Sequence, residues 1–202
     1  MDAVRVSALR EHLTGSGWLE AVGGFAGSLR RSVSRRGAGE LLLVGTEAYE
    51  PWHLAAHLDD EAAWSALPRL APTLLRHHPE PPGAPAHLAQ GLRRLTEAGR
   101  GVTVLVIAPD AAGTPLLERV HDARRHGATV LALDGATPAE PGDLGGLAHE
   151  RLAVGTAAEA AFDLAQHLVS AAAGQPPARR SALGRLTDLA GRLTAPPAIS
   201  RW

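Results

Sequence analysis

The strongest constraint on this chain is a series of short apolar blocks, each shut by a turn residue and followed by a stretch with helical spacing. Leu41-Leu42-Leu43-Val44 stops at Gly45, residues 102–108 stop at Pro109-Asp110, and residues 129–133 stop at Asp134-Gly135. Blocks that are apolar throughout, rather than at every second position, mark strands buried on both faces. Weaker blocks at 73–76 and 151–155 extend the series. Between them, segments 51–64, 87–98, 115–126 and 157–173 carry apolar residues three and four apart. The alternation predicts an α/β fold, a three-layer doubly wound parallel sheet with helices on both faces.

Two further helices precede the first strand, at 2–13 and 18–34. The second of these lines up Leu19, Val22, Phe25, Ala26, Leu29 and Val33 on one face. Arg30, Arg31, Arg35 and Arg36 crowd its end, where the helix dipole favours cations. The α/β domain is expected to occupy residues 1–174, with surface connections at 79–85 and 136–146. Composition breaks at Gly174-Gln175-Pro176-Pro177, so 175–202 reads as a separate C-terminal helix and tail. Its leucine stripe suits a cover for the domain or a dimer mate. The end at Trp202 makes 178–202 an alternative docking segment for a protein partner.

Composition removes whole classes of chemistry. Cysteine is absent, which excludes disulfides, thiolate metal sites and cysteine nucleophiles. All 20 basic residues are arginine, so no phosphate-loop lysine or Schiff-base lysine exists. A net charge of −1 gives no field for nucleic acid. The longest greasy run, 102–109, is far short of the roughly 20 residues of a membrane helix, and the first residues carry no leader pattern. A cytoplasmic protein without membrane or nucleic-acid partners is therefore expected. No Gly-x-Ser-x-Gly elbow supports hydrolase chemistry.

In open parallel sheets, ligands bind beyond the carboxyl ends of the strands. That rule selects Gly45-Thr46-Glu47-Ala48-Tyr49-Glu50-Pro51 and residues 108–115. In the second stretch Asp110 or Thr114 can cap the next helix, and Pro115 suits its first turn. His53 and His57 share a helical face at the spacing of a zinc pair, but no third ligand is identifiable, so neither metal nor cofactor is expected. His53, in the first turn, is expected to face the crevice. His77, His78, His121 and His126 read as surface residues, and Glu159 as a helix-start carboxylate.

The segment 104–135, and above all Gly127-Ala128-Thr129-Val130-Leu131-Ala132-Leu133-Asp134-Gly135, resembles the central unit of the sugar isomerase (SIS) phosphosugar-binding domains. Residues 41–45 are similar to that family's first strand, and 162–173 to its late helix. The resemblance implies a flavodoxin-like sheet, a sugar-related ligand and a homodimer. The family's loop hydroxyls fall here on Ala108, Asp110 and Thr114, of which only Thr114 keeps one. The family's first-loop serine is also gone, and Glu47 adds a negative charge. The expectation is a non-catalytic ligand-sensing or regulatory protein, its ligand among Gly45, Thr46, Glu47, Glu50, His53, Asp110, Gly113 and Thr114. Glu47 and Asp110 would accept hydrogen bonds from a neutral polyol or amino-bearing ligand and oppose a phosphate. The alternatives are an active sugar-phosphate isomerase, using Glu47, His53 or Glu159, and an interaction scaffold using the tail.

Overall fold

Each apolar block becomes a strand of one sheet. A computed structural model of the chain describes residues 17–81, 83, 85, 87–135, 144–154 and 159–175. The strands are β1 (Leu41–Gly45), β2 (Pro72–Leu75), β3 (Thr103–Ala108), β4 (Thr129–Asp134) and β5 (Glu150–Ala153). All pair in parallel, in the order β2-β1-β3-β4-β5. The helices are α1 (Trp18–Ser34), α2 (Trp52–Trp64), α3 (Thr114–Arg125), a single turn α4 (Leu144–Leu147) and α5 (Glu159–Gly174).

The central strands are apolar throughout because both their faces are covered. Leu41, Leu43, Leu105, Ile107, Leu131 and Leu133 pack against α1, α2 and α5. The alternate residues Leu42, Val44, Val104, Val106, Val130 and Ala132 pack against α3, α4 and the 3-10 segment Leu92–Glu97. This is the doubly wound, flavodoxin-like arrangement. The face of α1 is buried as its periodicity predicts, with Leu19, Val22, Phe25, Ala26, Leu29 and Val33 all in the core. Arg30 does not serve the end of its own helix. It donates to the carbonyls of Ala173 and Gly174 at 2.8 and 2.9 Å, satisfying orphan acceptors in the last turn of α5.

One expected helix is corrected. Segment 87–98 is not an α-helix; only Leu92–Glu97 turns, and as a 3-10 helix. The reason is non-local. Arg76 and Gly91 form a parallel bridge, and the Arg76 N–H donates to the Gln90 carbonyl at 2.9 Å. The chain at 90–91 is thereby held extended, and a helix cannot pass through it. The expected helix at 2–13, the connection residues 136–143 and the segment 176–202 lie outside the described residues, as does the Glu159 side chain. Among the described residues, no helix is long and apolar enough to cross a membrane.

Candidate functional site

The strand order reverses between β1 and β3, and the loops following those two strands, 46–51 and 109–113, flank the crevice that such a reversal opens. The two loops touch: the Thr46 hydroxyl donates to Asp110 Oδ1 at 2.7 Å. The first loop folds tightly back over β1. Thr46 and Tyr49 form an antiparallel bridge, and a Cβ at Gly45 would run into the Tyr49 carbonyl and Pro51. Tyr49 then ties the loop to α5. Its ring meets Phe162 edge-on at 6.1 Å, and its hydroxyl accepts a hydrogen bond from Gln166 Nε2 at 2.9 Å.

Two small clefts lie on either side of the Thr46–Asp110 contact. One, of about 80 Å³, lies between the ends of β1 and β2 and is lined by Gly45, Thr46, Glu47, Tyr49, Glu50, Arg76, His77 and His78. The other, of about 90 Å³, lies between the ends of β3 and β4 and is lined by Ala108, Asp110, Ala112, Asp134, Leu144 and Arg151. Each alone is below the roughly 300 Å³ at which ligand pockets begin. A larger groove of about 510 Å³ lies beside Trp52, Ala55, Pro72 and Leu74, between α2 and the edge strand. It does not include the residues of either strand-end loop.

The sequence-selected residues therefore divide. Gly45, Thr46, Glu47 and Glu50 line the first cleft and Asp110 the second. Glu47 does not project into a shared, dry pocket. Its side chain is 77% exposed and stands 3.6 Å from an equally exposed His78, a pairing of little energetic weight. Glu50 is engaged by Arg76 at 2.7 Å. His77 is no mere surface residue, because its Nε2 lies 3.0 Å from the Gly45 carbonyl and clasps the end of β1. Neither Asp110 nor Thr114 caps α3; Gly113 holds the N-cap position without a side-chain bond, and Thr114 is the first helical residue. The Leu116 and Leu117 N–H groups both return to the Gly113 carbonyl, and Pro115 has none. Of the first three helical residues, Thr114 offers the N–H that is neither missing nor returned to the Gly113 carbonyl.

Sequence reasoning missed the pair that shapes the second cleft. Asp134, at the end of β4, has a side chain only 4% exposed, and Arg151 on β5 grips it through Nε at 2.8 Å and Nη2 at 3.0 Å. This is the bidentate geometry in which a buried carboxylate is best neutralised. The signal was the strand-ending Asp134-Gly135, but its partner depends on β5 lying next to β4. The cleft thus holds two carboxylates, Asp110 and Asp134, against one guanidinium that is already engaged.

The third histidine sought for His53 and His57 exists, on α5. His167 lies with its ring 4.3 Å from that of His57 and 5.7 Å from that of His53. His53 itself is sandwiched by Trp52 at 4.6 Å and His57 at 5.3 Å, both nearly parallel to it. It faces this cluster and lines neither strand-end cleft, contrary to expectation. Among the described residues, no three donors are placed to hold a metal ion. His167 is held below the usual imidazole range by burial first, then by His57 and His53, with Asp163 pulling the other way.

Solved structures carry the same architecture. A protein of Salmonella typhimurium LT2, provisionally named as sugar-binding, superposes over 94% of this chain at 19% identity and a TM-score of 0.60. The sugar isomerase domain of the RpiR transcription factor of Sphaerobacter thermophilus matches over 86% of this chain and 83% of its own, at 14% identity and a TM-score of 0.50. The fold is that of the SIS domains. A protein of Silicibacter pomeroyi DSS-3, provisionally named a phosphosugar isomerase, covers 95% of this SIS-like chain at 12% identity and a TM-score of 0.56. The chain spans about half the length of the Salmonella and Silicibacter proteins, 52% and 54%. No protein-family model matches the sequence, and no curated protein matches it.

Proposed function

We propose that this SIS-like chain is a non-catalytic, ligand-sensing protein that binds a hydroxyl- or amino-bearing, sugar-related molecule across the crevice between 46–51 and 109–114. The observation that carries this reading is the Asp110 carboxylate, held by Thr46 where the two crevice loops meet. A phosphoryl group entering there faces Asp110 and Asp134, with Arg151 already committed to Asp134. Ligand hydroxyls or an ammonium instead find acceptors. The proposed ligand contacts are Gly45, Thr46, Glu50, Asp110, Gly113 and Thr114, joined by Asp134 and Arg151; Glu47 and His53 take no direct part. The isomerase alternative is not favoured for Glu47, which stands in water beside His78, or for His53, which lines neither cleft.

Ligand class comes from the solved structures of the same fold, two of which are named for sugar or phosphosugar chemistry. Isothermal titration with glucosamine, glucitol and glucose 6-phosphate tests it. The first two are expected to bind more tightly than the third. Tight glucose 6-phosphate binding abolished by Thr114→Ala overturns the reading, as does turnover of sugar phosphates lost in Glu50→Gln. A regulatory role, a cytoplasmic setting and a homodimer belong to the same proposal, with 175–202 as a separate segment serving the dimer mate or a protein partner. Sedimentation of the full chain and of a chain ending at 174 tests that part.

A further inference from the structure

We propose that His53, His57 and His167 form a proton switch at the α2–α5 contact that sets the conformation of the 46–49 loop. Its meaning as regulation of ligand binding rests on the crevice reading above.

The His167 ring lies 4.3 Å from that of His57 and 5.7 Å from that of His53, so positive charge on His167 develops against two imidazoles rather than in water. Trp52, His53 and His57 stack in near-parallel succession along α2. His57 Nε2, on the same contact, is buried without a hydrogen-bond partner. His57 and His53 face His167 from α2, and Asp163 faces it from α5. Beyond them, Glu61 of α2 lies against Gly174, and Arg30 of α1 holds the last carbonyls of α5, seven residues past the cluster. That end of α5 is held by α1 and lies against α2.

The connection to the crevice is continuous. Gln166, beside His167, donates to Asp163 Oδ1 at 3.4 Å and to the Tyr49 hydroxyl at 2.9 Å. A charged His167 draws Asp163 to itself and loosens Gln166 and therefore Tyr49. Tyr49 closes the turn that presents Thr46 to Asp110. The sign follows from His167 holding its proton less tightly when folded. The contribution of neutral His167 to stability is complete above the unfolded histidine value near pH 6.5 and is lost as pH falls toward the lower folded value.

The test is an NMR titration of the ¹⁵N-labelled full chain from about pH 8 to about pH 5. The Thr46, Ala48 and Tyr49 amides are expected to shift with the His167 midpoint, below about pH 6.5. His167→Gln removes that shift, and Gln166→Ala leaves His167 titrating while silencing the loop. Loop amides that stay still while His167 titrates overturn the switch, as does a His167 midpoint at or above the ordinary value. With glucitol as the probe, affinity is expected to fall about tenfold at the acid end in the wild type and not in His167→Gln. If glucitol binds at neither pH, the crevice reading fails, and the amide shifts alone still decide the switch.

Discussion

The two clefts flanking the switch point each set a carboxylate beside a basic side chain, to different ends. Between β1 and β2, Glu47 and His78 stand in water 3.6 Å apart, each more than three-quarters exposed. Between β3 and β4, Asp134 is almost fully buried and locked in two short bonds to Arg151. Solvent screens the first pair until it decides nothing, whereas the second sits where every charge must be matched. Charge beyond these strand ends is therefore set by burial, and on the proposed ligand face the weight given to Glu47 passes to Asp110 and Asp134.

The largest effect is expected from breaking the buried pair. Arg151→Ala leaves Asp134 unpaired and should lower unfolding free energy by about 3–5 kcal/mol in urea melts. A double Arg151→Met, Asp134→Leu variant should recover most of it; failure of the single change to destabilise would erase the contrast between the clefts. Gly45→Ala comes next, because the added methyl meets the Tyr49 carbonyl and Pro51, costing about 1–3 kcal/mol and displacing the first loop. Thermal unfolding together with Tyr49 amide shifts measures both consequences. Thr46→Val removes the bond joining the two loops, for about 1 kcal/mol, and sharpens the comparison if glucitol affinity changes along with stability. Glu47→Gln is the smallest: stability and glucose 6-phosphate affinity should both stay at wild-type values. A large gain in phosphate binding there would restore Glu47 to the site.

Most of the sheet was legible because burial on both faces writes itself into the chain as unbroken apolar blocks, and β1, β3 and β4 fall within one residue of theirs. The two loops of the proposed site were selected by the same route, since crevices in open parallel sheets follow strand ends. Segment 87–98 misled because helical spacing there competes with the bridge from Arg76 to Gly91, which no local pattern reveals. His167 was passed over as an ordinary helix residue. Its partners sit on a helix far earlier in the chain, just as Tyr49 and Gln166 bond across 117 positions.

Periodicity and turn chemistry act over a few residues, so the amino-acid order alone determined the strands, most helices and the two loops that follow β1 and β3. It also determined what is missing, with no lysine and no cysteine to do chemistry. Tertiary structure decided which carboxylate meets water and which meets Arg151, and which histidines share a contact. Those outcomes depend on dielectric surroundings and on distances between segments remote in sequence, and both come into being only when the sheet and its helices close around a common core.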